Sequence, residues 1–150
     1  MKEIQNVEFK SNWNDEFLKI IASFANANGG KLYIGVDDNG NVIGLKDLKN
    51  LLEILPNKIK NKLQIIAYVN MLKKGDKEYL EIDVKPSSFP VSYNGKFYIR
   101  SGSTTHELEG QELCIFSLKN QDALGMNYLK KEPALKILIY QHWKNSKTFQ

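Results

Sequence analysis

Apolar residues recur along the chain with two different periods, and the switches between them mark the elements. Val7-Glu8-Phe9-Lys10 alternates apolar and polar side chains, the period of a short strand. Asn14 can then cap a helix whose apolar positions Phe17, Leu18, Ile21, Phe24 and Ala25 repeat at helical spacing. Asn28-Gly29-Gly30 stops that helix with residues that tolerate positive φ. Leu32, Ile34 and Val36 alternate along a strand from Lys31 to Asp37, and Asp38-Asn39-Gly40 signals a hairpin turn back along Asn41-Val42-Ile43-Gly44.

From Asp47 the period lengthens again. Leu48, Leu51, Leu52, Leu55, Ile59 and Leu63 line one face of a helical segment that Pro56 is expected to kink or restart. Two strands follow, Gln64 to Leu72 and Glu78 to Val84, joined at Lys74-Gly75-Asp76. After a loop at Pro86-Ser87-Ser88-Phe89-Pro90, Asn94-Gly95 pairs Val91-Ser92-Tyr93 with Lys96-Phe97-Tyr98-Ile99-Arg100 as a tight hairpin. Ser101-Gly102-Ser103-Thr104-Thr105 reads as a hydroxyl-rich loop before a helix from Leu108 to Leu118. Glu132-Pro133 opens a terminal helix with Leu135, Leu138, Ile139 and Trp143 on one side. The order predicts an α+β fold: a single domain over residues 1–118, with a mixed, mostly antiparallel sheet and helices packed on it. Residues 119–150 would form a linker and an amphipathic helix, compatible with the start of a further module.

Composition narrows the class. A chain of 150 residues with 42% hydrophobic content can bury one core. Its apolar runs are broken by charge well short of the roughly 20 residues of a membrane span, and Met1-Lys2-Glu3 leads into polar sequence, so a soluble, cytoplasmic protein with no membrane partner is expected. Cys114, the one cysteine, excludes an intrachain disulfide and a cysteine-based zinc site, and its apolar setting reads as a buried filler. The net charge of +4 points to an anionic partner. Between Asn41 and Gly75, Lys46, Lys49, Lys58, Lys60, Lys62, Lys73 and Lys74 face only Asp47 and Glu53. A lysine-rich composition, with Arg100 the single arginine, would account for the charge equally well.

Three groups of residues carry candidate chemistry. Arg100 with Ser101, Gly102, Ser103, Thr104 and Thr105 offers charge, hydroxyls and backbone N–H groups to a phosphate, although a capping loop is the commoner use of such a sequence. Period two places Tyr98 and Arg100 on one strand face, where they could stack bases and hold a nucleic-acid backbone; ordinary strand tyrosines are the plainer reading. Glu3, Glu8, Asp37 and Asp38 fall near strand ends, and converging carboxylates of this kind hold Mg²⁺ or Mn²⁺ for phosphodiester hydrolysis. Glu3 and Glu8 are an odd number of positions apart, so both reach one site only across a bend or bulge. His106 and His142 are too few for a histidine metal site and read as surface residues. Gly29-Gly30 precedes a strand and lacks the spacing of a phosphate loop.

Taken in order, Val7-Glu8-Phe9-Lys10, Ala22-Ser23-Phe24-Ala25-Asn26-Ala27-Asn28-Gly29-Gly30, Tyr33-Ile34-Gly35-Val36-Asp37-Asp38-Asn39-Gly40 with Val42-Ile43-Gly44-Leu45, and Tyr98-Ile99-Arg100-Ser101-Gly102-Ser103 resemble the Schlafen-type AlbA-like domain over roughly residues 3 to 118. The resemblance implies the α+β fold of that superfamily and a DNA- or RNA-binding module, often N-terminal in a larger transcriptional regulator or ATPase. It makes Lys10, Asn26 and Arg100 phosphate-contact candidates, alongside Tyr98, Ser101, Ser103 and Thr104. Some eukaryotic members join two such lobes and cleave structured RNA with two glutamates and an aspartate, positions that fall on Glu3, Glu8 and Asp38 here. That correspondence implies a divalent-metal endoribonuclease as the alternative, with a homodimer or an additional domain supplying the second lobe. A protein-interaction or regulatory module is the third reading.

Overall fold

The computed structural model describes residues 6–123. Its first helical segment starts where the cap residue places it: the Asn14 side-chain oxygen accepts from the Glu16 N–H at 2.9 Å, satisfying a donor that every helix start leaves open. One 3₁₀ turn over Asp15–Phe17 leads into α1, Leu18–Ala25. Apolar at every position but Lys19 and Ser23, α1 has the composition of an enclosed helix. It packs against strands of two different sheets, one on each side.

The first sheet runs β1 (Val7–Lys10), β2 (Gly30–Ile34), β4 (Lys77–Val84), β3 (Tyr68–Lys74). β1 and β2 are parallel, with Glu8 opposite Leu32, and the other pairs are antiparallel. Leu32, Ile34, Leu80 and Ile82 share one core with Ile21 and Phe24 of α1 and with Leu48, Leu51, Leu55, Ile59 and Leu63 of α2 (Leu48–Leu63). That burial explains why α2 continues past Pro56 instead of ending and restarting there. A proline inside a helix costs about 3 kcal/mol, whereas each fully buried leucine or isoleucine contributes roughly 1.5–3 kcal/mol, and Pro56 itself sits on the exposed side.

Two other boundaries differ from the periodicity. Gln64 closes α2 in the left-handed region with φ 59, its N–H donating to the Lys60 carbonyl at 2.9 Å, so β3 begins at Tyr68 rather than Gln64. The Asp38-Asn39-Gly40 turn forms, but its flanks make one antiparallel bridge, Val36 with Val42, beside backbone bonds from the Asp37 N–H to the Asn41 carbonyl and from the Ile43 N–H to the Gly35 carbonyl, rather than a full strand. There the Asp37 carboxylate accepts from the backbone N–H groups of Asn39 and Asn41 at 2.9 and 2.8 Å, adding to those backbone bonds.

The second sheet is β5 (Ser92–Tyr93), β6 (Lys96–Ser101) and β7 (Thr104–Glu107), all antiparallel. The expected hydroxyl-rich loop is thus a tight turn: only Gly102 and Ser103 lie outside strands, and the β-branched Thr104 and Thr105 enter β7. α3 follows over Gly110–Ala123. The fold is α+β with mostly antiparallel pairing, divided into two sheets because α1 stands between them. Among the described residues no helix is long and apolar enough to cross a membrane. The terminal helix expected from Glu132, together with Glu3 and His142, lies outside the described residues.

Candidate functional site

β1 and β6 belong to different sheets, and Glu8 and Arg100 join them. Arg100 Nη2 donates to Glu8 Oε2 at 2.6 Å and to the Val7 carbonyl at 3.4 Å, while the guanidinium carbon lies 5.0 Å from the Phe24 ring centroid. Lys10 Nζ is 3.3 Å from the other Glu8 oxygen and 5.2 Å from the centre of the Phe17 ring. Both carboxylate oxygens are therefore engaged by cations. The Arg100 side chain is 2% exposed, which corrects its expected place on an open strand face with Tyr98. Period two leaves a free face only where one side of a sheet is uncovered, and β6 is covered on both. Phe97 and Ile99 pack with Leu108, Leu113 and Phe116, and Tyr98 packs on the main core. Burial, with a smaller contribution from Glu107, raises the Tyr98 hydroxyl above its ordinary pKa.

Asn26 is likewise occupied by its own fold. Both N–H groups of its amide donate, to the Val91 and Tyr98 carbonyls at 2.8 Å each, and its oxygen accepts from the Val91 N–H at 2.7 Å. It staples the end of α1 to Val91, just before β5, and to Tyr98 on β6.

Asn26, Arg100 and Ser101 line a cleft of about 790 Å³ between the β6–β7 hairpin and α3, which contributes Glu112 and Phe116. His106 also lines it, lying 2.8 Å from Thr104 Oγ1, which reaches the Ser101 carbonyl at 3.0 Å. Ser101 is exposed within the cleft, and Ser103 and Thr104 are exposed at the rim. Of the expected nucleic-acid residues, three are thus brought together, two stand at the rim, and Lys10 and Tyr98 face elsewhere. His106 is exposed, as its reading as a surface residue expects, and its place on the cleft wall is what sequence reasoning missed. The signal was the Thr104-Thr105 pair, whose β propensity extends the strand and carries His106 into the cleft wall.

The carboxylates distribute differently. Glu3 is outside the described residues, Glu8 is held by Lys10 and Arg100, and Asp38 is exposed in its turn. Among the described residues no three His, Cys, Asp or Glu side chains gather as a cation site. A divalent cation at Glu8 would have to compete with two resident cations, so the described donors do not by themselves fit Mg²⁺ or Mn²⁺.

Positive charge lies along α2 and at the β3–β4 turn, with Lys60 and Lys62 in the last turn of α2 and Lys73 and Lys74 at the end of β3. Between Asn41 and Gly75, Lys46, Lys49, Lys60, Lys62, Lys73 and Lys74 are exposed, and among the described residues only Lys58 of that stretch has a carboxylate partner, Asp15 at 2.9 Å. Hydrogen bonds from Lys58 and then Trp13 hold the Asp15 carboxyl below its ordinary pKa. Lys46 before α2 and Lys77 at the start of β4 line a common open cleft of about 830 Å³, with Trp13, Asp47 and Asp76. In the β3–β4 register Lys74 stands directly opposite Lys77, an arrangement that is repulsive in an isolated sheet.

The family described as Schlafen, AlbA_2 matches residues 3–109. Among solved structures, the DIP2311 protein from Corynebacterium diphtheriae is similar over 78% of this chain, at 18% identity and a TM-score of 0.60. The chain spans 27% of that protein. The N-terminal domain of a RecG-related protein from Nitrosomonas europaea aligns over 71% of this chain and 83% of its own, at 21% identity and a TM-score of 0.49. The likeness to DIP2311 bears on the fold alone. No curated protein sequence matches the chain.

Proposed function

The chain belongs to the Schlafen AlbA_2 family, and from that premise we propose that it is a nucleic-acid-binding module gripping the phosphate backbone with the lysines around the β3–β4 turn. The observation that carries this reading is the opposition of Lys74 and Lys77, with Lys46 and Lys73 exposed nearby, although Lys73 stands opposite Glu78 and the cleft of Lys46 and Lys77 also holds Asp47 and Asp76. Two like charges across a hairpin repel; a phosphate between them converts that repulsion into attraction and releases condensed counterions from the nucleic acid. The exposed hydroxyls of Ser101 and Ser103 are uncharged donors for a second contact, next to Thr104, whose own O–H is given to the Ser101 carbonyl. In this reading Arg100, Asn26 and Tyr98 act from behind, holding the second sheet on α1, and Lys10 pairs with Glu8.

Fluorescence anisotropy with labelled duplex DNA and RNA, at roughly 50–300 mM salt, tests the proposal. The logarithm of the affinity should fall linearly with the logarithm of salt concentration, and Lys74→Ala or Lys77→Ala should each flatten the slope by about one. Binding that ignores salt, or no binding at the lowest salt, would count against it. Incubating the same RNA with Mn²⁺ covers the nuclease reading: cleavage that disappears in Asp38→Asn, an exposed and structurally mild change, would replace the binding module with a metal-dependent enzyme using Glu3, Glu8 and Asp38.

A further inference from the structure

β3 is the edge of the first sheet, and apart from two lysines at one end it lacks the devices that normally blunt an edge. It is seven residues long and pairs with β4 in one unbroken register from Tyr68–Asp83 to Lys74–Lys77, with no bulge. It contains neither proline nor a carboxylate. Tyr68 is 55% exposed and Met71 49%, and Ile66 just before the strand is 72% exposed. No described strand pairs with its outer side. Natural edges are shortened, bulged, interrupted by proline or charged along their length to stop further pairing; here the only charges are Lys73 and Lys74, at one end. The sheet's other edge, β1, is only four residues long and carries Glu8 and Lys10.

We propose that β3 pairs with β3 of a second copy of this chain, antiparallel about a two-fold axis, making one continuous eight-stranded sheet. Charge selects this occupant and this direction. With the axis at Asn70 or Met71, Lys73 and Lys74 fall opposite residues 66–69, which are Ile66, Ala67, Tyr68 and Val69 and carry no charge. Centred on Met71, Lys74 lies opposite the partner's Tyr68, a cation beside an exposed aromatic ring. A parallel arrangement would stack each lysine on its own copy and be repelled. The interface is isologous, so it closes at two copies instead of propagating, and it covers Tyr68 and Met71 on the joined faces.

The test is the mass of the full chain in solution. Sedimentation velocity over roughly 1–500 μM, the range of weak dimers, should move the mass from 17.2 kDa towards twice that value. Met71→Lys sets like charges at or beside the axis on an already exposed position, and should return the mass to 17.2 kDa with circular dichroism and melting unchanged. In a Cys114→Ser background, Asn70→Cys or Met71→Cys should oxidise to a disulfide-linked dimer, while Ile54→Cys on α2 should not. A wild-type chain that stays monomeric across the range overturns the proposal and leaves the edge to a strand from another protein. A dimer that survives Met71→Lys, with no cross-link at either cysteine, overturns it as well by placing the contact elsewhere.

Discussion

At the scale of single residues, the Glu8–Arg100 pair decides most. Its two charges are out of water, at 2.6 Å, and the attraction only offsets the cost of desolvation while both partners are present. Arg100→Ala should therefore lower the unfolding free energy by roughly 3–5 kcal/mol in urea titrations, since it leaves Glu8 buried with only the half-exposed Lys10. Replacing both, as Glu8→Leu with Arg100→Met, should recover most of that loss. A double variant no better than the single one would mean that Arg100 acts through its stacking on Phe24 instead. Tyr33 offers a second residue-scale measurement. Its hydroxyl donates to Glu81 at 3.0 Å, and burial first, then that hydrogen bond, pushes its pKa up to about 12 from 10.0. The folded state holds this proton more tightly than the unfolded chain, so the contribution is complete below pH 10.0 and is lost as pH rises towards about 12. Stability measured across that window should fall less steeply in Tyr33→Phe than in the wild type.

At the scale of elements, the turn that ends α1 is set by close approach as much as by backbone conformation. Gly29 and Gly75 both adopt positive φ, at 79 and 62. A Cβ at Gly29 would stand 2.6 Å from the Val84 carbonyl oxygen and 2.9 Å from Pro86 Cδ, whereas at Gly75 nothing lies within 4 Å. Gly75→Ala should cost about 1–2 kcal/mol, the strain of a left-handed alanine, and Gly29→Ala distinctly more in the same thermal melts. Equal losses would show that the Val84–Pro86 segment moves aside freely. This helix stop was legible in the sequence because its cause is local: Asn28-Gly29-Gly30 carries the signal itself. So was the packing face of α2, from Leu48 to Leu63. The elements that read wrongly are those where tertiary structure overrides a local sign. Pro56 announces a break that the buried face of α2 does not allow, and Ser101-Gly102-Ser103 announces a loop although the following threonines pair with β6. Arg100 was beyond reach for a stronger reason: its partner is 92 positions away, on a strand of another sheet, and no periodicity along β6 records that α1 and α3 cover both its sides.

At the scale of the whole molecule, two sheets share one helix, and this determines how the protein should come apart. α1 packs on β2 and β4 on one side and on β5, β6 and β7 on the other. Asn26 ties its end to Val91 and Tyr98, Ser23 lies 3.3 Å from the Thr105 hydroxyl, and Arg100 reaches across to Glu8. Removing the second sheet would expose Phe24 and Ala25 and strand the Glu8 charge; melting the first would leave α1 with half its packing. The second sheet has no independent core large enough to stand alone, because apart from α1 the hairpin and α3 share only the cluster of Leu108, Leu113 and Phe116, whereas the first sheet also packs on α2 and buries Phe9, Tyr33 and Tyr79 on its other face. Unfolding should consequently be a single cooperative transition, with the slowest-exchanging amides of β2, β4 and β6 reporting the same opening free energy in native-state hydrogen exchange. A lower opening free energy confined to β5, β6 and β7 would show instead that the second sheet docks and undocks on its own. In that event the cleft lined by Arg100, Ser101 and His106 would open and close with it, and its contribution to any nucleic-acid contact would vary with temperature well below the global melt.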